Sequence, residues 1–192
     1  MIVDLLRHGE TELGGGLRGS IDDALTEAGW AQMHAAVADA ATGAASWTRI
    51  VSSPLQRCAR FAQVLAERLQ LPLSLDADVQ ELHFGDWEGR SAAQIMQTDA
   101  DGLGAFWNNP YTFTPPNGEP VAVFAERVGA ALQRLQQRHS GERVLLVCHG
   151  GVIRLLLARA RGLPREQLLQ VSVAHGALHS VQVAVDGTLT EL

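Results

Sequence analysis

Arg143-Val144-Leu145-Leu146-Val147-Cys148-His149-Gly150-Gly151 carries the strongest strand signal in the chain. Its apolar run, Val144 to Cys148, fits a strand buried on both faces, as in a parallel sheet. A histidine and two glycines follow, and from about Val152 to Arg161 the sequence reads as a helix. Open α/β sheets bind ligands at such junctions, outside the carboxyl ends of their strands. Two other junctions share the pattern. Ile2–Arg7 is a short apolar run ending at Arg7-His8-Gly9-Glu10-Thr11. Arg49–Ser53 ends at two serines, with Arg57 in the first turn of the helix beyond.

Outward from these junctions, strands alternate with helices, so the class is α/β with a mostly parallel sheet. Thr26 is placed to N-cap a helix running to about Ala40, with Trp30, Met33 and Val37 on one face. Ser53-Pro54-Leu55-Gln56 reads as a capping box with proline at the first helical position. Leu55, Cys58, Ala62, Leu65 and Leu69 then recur at helical spacing. Leu73–Leu75 is a brief strand, and Val121–Arg138 an amphipathic helix through Val121, Phe124, Val128, Leu132 and Leu135. Two closing strands are expected at Leu168–Val173 and Ser180–Val185, the second at an edge. Residues 91–119 look irregular, with three prolines and Trp107, Tyr111 and Phe113, and are expected to form a small cap on a single domain spanning 1–192.

The composition excludes several function classes. With 46% hydrophobic and 19% charged residues, 192 residues make a globular chain with one sizeable core. A net charge of −6 does not draw nucleic acid. The two cysteines form no CxxC pair, so neither a disulfide framework nor a metal knuckle is expected. The start reads as a strand rather than a signal peptide, and no apolar run is long enough to span a bilayer, so a cytoplasmic location without membrane contact is expected. All 15 basic residues are arginine. An anion site must therefore use arginine, histidine and backbone N–H groups.

The three strand ends bring two histidines and two arginines to one crevice, with helix N-termini aimed at it. Arginine's planar fork matches phosphate oxygens and keeps its charge. A phosphate ester is the expected ligand. Blander readings compete: a strand-end histidine is usually structural, and a first-turn arginine is usually solvated. Cys148 reads as a small buried hydrophobe rather than a nucleophile. His34, His83, His139, His175 and His179 receive structural readings. A zinc site on His8 and His149 lacks the paired HExxH spacing.

Leu6-Arg7-His8-Gly9-Glu10-Thr11 resembles the RHGET signature of the histidine phosphatase superfamily, the phosphoglycerate mutase-like proteins. Ser52 to Arg57, Glu81 to Gly89, Gly118-Glu119 with Arg127-Val128, and His149-Gly150-Gly151 continue the resemblance in order. It implies a three-layer α/β/α sandwich. His8 would be the nucleophile, becoming phosphohistidine. Arg7, Arg57 and His149 would hold the non-bridging oxygens, and Glu81 would protonate the leaving alkoxide and later activate water. Gly150 stands where the acid-phosphatase branch has an aspartate, which leaves the acid role to Glu81. No metal and no other cofactor are implied. The chain departs from the family at Gly14-Gly15-Gly16, where many relatives carry a phosphate-binding asparagine, and at Cys148, where a small hydroxyl residue is common.

No Arg, Lys or His lies between Arg90 and Arg127, so a flat, neutral leaving group suits the expected cap better than a second anion. Trp107 and Tyr111, with Arg18 from an earlier loop, are the candidate substrate-pocket residues; the alternative is that the aromatics only pack the cap onto the sheet. The loop Leu17-Arg18-Gly19-Ser20 and the segment Leu25 to Trp30 resemble the α-ribazole phosphatases of the family, which implies hydrolysis of α-ribazole 5′-phosphate in assembling the nucleotide loop of cobalamin. A broad-specificity sugar-phosphate or nucleotide phosphatase, a phosphoglycerate mutase and a non-catalytic interaction module are the other readings. The expected partner is a small phosphate monoester, and a homodimer is left open as the assembly.

Overall fold

The computed structural model describes residues 1–38 and 46–192. Among the described residues, six strands form one sheet in the order β3-β2-β4-β1-β5-β6. They are β1 (Ile2–Arg7), β2 (Arg49–Ser52), β3 (Leu73–Leu75), β4 (Arg143–Cys148), β5 (Leu178–Val183) and β6 (Leu189–Glu191). The first four in spatial order are parallel, and β5 and β6 add antiparallel pairs. The helices are α1 (Glu27–Val37), α2 (Gln56–Leu69), α3 (Ala92–Thr98), α4 (Ala100–Asn108), α5 (Val121–Arg138) and α6 (Gly150–Ala160).

Strand alternation splits the core in two. Val144, Leu146 and Cys148 of β4 pack with α5 and α6 on one face, while Leu145 and Val147 pack with α1 and α2 on the other. The result is a three-layer α/β/α sandwich. Its register sets the site: Arg7 is paired with Cys148 and Ser52 with Val147, so β1, β4 and β2 end side by side.

Several expectations change. Thr26 does cap α1, its Oγ1 accepting from Gly29 N at 3.0 Å. The helix runs to Val37, and the expected end at Ala40 lies outside the described residues. The Ser53 capping box does not form. α2 begins at Gln56, whose N–H donates to Asp22 Oδ1 at 2.6 Å and whose side-chain amide donates to Asp22 O, while Ser53 Oγ accepts from Leu55 N at 3.3 Å and from His149. Residues 91–119 are not irregular throughout: α3 opens with a capping box at Ser91 and Gln94, and Asp99 caps α4. Leu168–Val173 is not a strand. Residues Arg165–Gln170 form a 3-10 helix, and β5 takes the free edge of β1 that such a strand would need. The second closing strand starts two residues early, at Leu178, and is not an edge, because β6 pairs beyond it.

Candidate active site

His8 follows β1 and is 5% exposed. Its Nδ1 lies 2.8 Å from the carbonyl of Gly9, which can only accept, so Nδ1 carries the proton and Nε2 keeps its lone pair. Burial, then the charges of Arg57 and Arg7, holds the ring well below the usual histidine pKa. The imidazole is neutral with a fixed tautomer, the form a nitrogen nucleophile needs.

His149 follows β4, fully buried, with its ring 5.3 Å from that of His8. Arg57 Nε donates to its Nδ1 at 3.3 Å, so Nε2 holds the proton and donates to Ser53 Oγ at 2.8 Å. Burial and Arg57 hold this ring neutral too. Arg57 is fully buried and also donates to the carbonyls of Ile21 and, at 2.9 Å, Gly19. Arg7 donates through Nη1 to Val173 O, while its Nε is buried without a hydrogen-bond partner. Burial, then the like charges of Arg154, Arg18 and Arg57, lowers the Arg7 guanidinium, with Glu81 opposing. Arg18 pairs with Asp23 at 2.9 Å, yet its Nη2 is buried and without a hydrogen-bond partner. Buried donors left open among clustered arginines describe a crevice shaped for an anion.

Glu81 enters from the segment before α3. Gly151 N, in the first turn of α6, donates to both its carboxylate oxygens, at 3.1 and 2.9 Å. A Cβ at Gly151 would lie 2.2 Å from Oε1, so the close approach requires glycine here. Arg127 steadies the backbone around Glu81 by donating to the carbonyls of Asp78, Gln80 and Glu81, and is itself held by Glu119 at 2.7 and 2.8 Å. Glu88 ties the 17–21 loop to this segment: burial raises its pKa, but donors from Ser20, Ile21 and Phe84 outweigh that and lower it. The Gly118-Glu119…Arg127 and Trp87-Glu88-Gly89 blocks thus position the site rather than enter it.

A cavity of about 450 Å³ opens beside Glu81 and Gly151, with Leu17, Phe84, Phe106 and Trp107 among its walls. Trp107 is half-exposed at this cavity. Tyr111 is not in it; it borders a separate small cavity and carries Arg165 over its ring at 5.3 Å. Phe113 stacks on Trp87, so that part of the segment does pack inward. Sequence reasoning missed Arg154, a cation on the cavity wall contributed by α6 and masked by its apolar neighbours. It also gave His175 a structural reading, although its ring lies 5.7 Å from His8. Cys58 and Cys148 are fully buried, and burial pushes both thiols above the usual value, away from thiolate chemistry. Among the described residues, no three His, Cys, Asp or Glu side chains gather as metal ligands.

The family model of the histidine phosphatase superfamily (branch 1) matches residues 3–191. The chain belongs to this superfamily. It is a histidine-phosphatase-fold phosphomonoesterase. The adenosylcobalamin/alpha-ribazole phosphatase of Escherichia coli (strain K12) is 32% identical over 184 residues, 93% of this chain and 88% of that protein. The glucosyl-3-phosphoglycerate phosphatase of Mycobacterium tuberculosis (strain CDC 1551 / Oshkosh) is 35% identical over 170 residues, 83% and 75% of the two chains. The alpha-ribazole phosphatase from Shigella flexneri superposes with a TM-score of 0.85 at 30% identity, covering 100% of this chain and 95% of that one. Among the described residues no helix is long and apolar enough to cross a membrane.

Proposed function

We propose that this histidine phosphatase hydrolyses phosphate monoesters through a phosphohistidine on His8, without a metal ion. The observation that carries the reading is the His8 tautomer: Nδ1 is bound to Gly9 O and Nε2 is unprotonated in a cluster of arginines. Nε2 attacks phosphorus, and the ester P–O bond breaks with its electron pair on the leaving oxygen. Glu81 gives that oxygen a proton. Water then attacks phosphorus and returns a proton to Glu81, the P–N bond breaks with its pair on Nε2, and orthophosphate leaves. Arg7, Arg57 and His149 hold the non-bridging oxygens, His149 turning its Nε2–H from Ser53 Oγ to a phosphate oxygen while Nδ1 keeps its bond from Arg57. Rapid quenching with p-nitrophenyl phosphate should trap an acid-labile, alkali-stable phosphoprotein labelled at His8, and activity should survive chelation. Label on Cys148, or full turnover in His8→Ala, overturns the mechanism.

The proposed substrate is α-ribazole 5′-phosphate, with segment 91–119 as a cap and Trp107 against the leaving group. The apolar cavity and the relatives of that activity support this. Arg154 favours a second reading, an ester whose leaving group carries a carboxylate, as the glucosyl-3-phosphoglycerate phosphatase relative suggests. The two separate in kcat/KM. Under the first, α-ribazole 5′-phosphate exceeds 3-phosphoglycerate by at least roughly 100-fold, and Arg154→Leu changes it little. Comparable efficiencies, with Arg154→Leu selectively removing the carboxylated substrate, establish the second.

A further inference from the structure

The loop between the 3-10 helix Arg165–Gln170 and β5 is fastened to the nucleophile's own strand. Arg7 N donates to Ala177 O at 3.0 Å, Arg7 Nη1 to Val173 O, and Gly176 N to His8 O at 3.3 Å. Gly176 is buried at φ +68, and a Cβ there would lie 2.9 Å from Cβ of Gln32 in α1. Sheet, helix and left-handed turn together fix where the preceding residue stands. That residue is His175. Its ring lies 5.7 Å from His8 at 39°, close to the 5.3 Å that separates His8 from His149. The nucleophile is therefore flanked by two histidines.

His149 has partners on both ring nitrogens, whereas His175 makes no side-chain hydrogen bond among the described residues. The charged groups acting on it are Arg7, Arg18 and Glu10. It is exposed, and it feels the charges of Arg7 and Arg18, both of which have buried guanidinium nitrogens without a hydrogen-bond partner. The loop Gly14-Gly15-Gly16 carries no side chain that could donate.

We propose that His175 is a further catalytic residue, donating a ring N–H to a non-bridging oxygen of the phosphoryl group held at His8; this rests on the phosphatase reading above. Burial, then Arg7 and Arg18, keeps the imidazole below its ordinary pKa. A phosphate dianion reverses that field and favours the protonated, donating ring. A charge-assisted bond of this kind changes affinity by roughly 10- to 100-fold.

The test uses the full chain with p-nitrophenyl phosphate as substrate and inorganic phosphate as competitive inhibitor. His175→Ala and His175→Phe should lower kcat/KM and raise the phosphate Ki, each by roughly 10- to 100-fold. His175→Asn, which keeps an N–H donor, should recover most of both. Thermal midpoints of all three should stay near that of the unsubstituted chain. If Phe matches the original enzyme, or if kcat/KM falls while the phosphate Ki stays unchanged, His175 only packs against His8 and the proposal is wrong. His8→Ala is the control: if it keeps activity, the phosphohistidine reading itself has failed, an outcome distinct from inert His175 variants in an enzyme that still labels at His8.

Discussion

Glu81 is held by two backbone N–H groups: Gly151 N donates to both carboxylate oxygens and Leu82 N to Oε1 at 3.0 Å. Glu81→Gln should therefore lower kcat for an alkyl phosphate by about 10²- to 10⁴-fold, the span of general acid catalysis, and much less for p-nitrophenyl phosphate, whose phenolate needs little protonation. Gly151→Ala should give the same selective loss in milder form, because its methyl group would displace Oε1. Equal losses on both esters would remove Glu81 from the acid role. At this scale, residues attached to strand ends were legible in sequence: His8, His149 and Arg57 lie where buried runs stop. Arg154 and His175 were not. One sits mid-helix among apolar neighbours, and the other comes to His8 only through a positive-φ glycine that the sequence does not flag.

The paired helices α3 and α4 turn about Asp99, which caps α4 through Oδ1 to Gly102 N at 3.1 Å and accepts from Trp87 Nε1 at 3.2 Å. Removing it loses a cap and leaves an indole N–H without its partner, a cost of about 1–3 kcal/mol. Asp99→Ala should lower the thermal midpoint by roughly 2–10 °C for a chain of this size. Because Phe106 and Trp107 of α4 line the large cavity, it should also raise KM for bulky aromatic phosphates while sparing p-nitrophenyl phosphate. An unchanged midpoint would show that α4 is held by packing alone. The capping box at Ser91 and Gln94 is a local pattern, and the prolines and asparagines that follow mask it. At Ser53 the local capping pattern is present, but a tertiary partner, Asp22, takes both donors of Gln56.

Across the molecule, two neutral histidines are buried at the end of the sheet, and this ties stability to pH. Both have folded-state pKa values well below the ordinary 6.5, so below pH 6.5 the unfolded chain binds more protons than the folded one. Stability is full above that value and declines as pH falls toward the folded values, by at most about 1.4 kcal/mol per pH unit for each ring. Calorimetry in phosphate-free buffer should show the midpoint falling from pH 6.5 to about pH 5, less steeply in His149→Gln; a flat profile would mean the rings titrate normally. The sequence by itself determined the α/β class, the parallel centre and the three strand-end clusters, because burial on both faces forces unbroken apolar runs and ligand groups must follow them. It did not determine the tautomer of His8, the glycine clasp on Glu81 or the cation in the cavity wall. Those depend on register, with Arg7 paired to Cys148 and Ser52 to Val147, and on which side chain reaches a given polar atom first. Such contacts join residues far apart in the chain, and no local pattern encodes them.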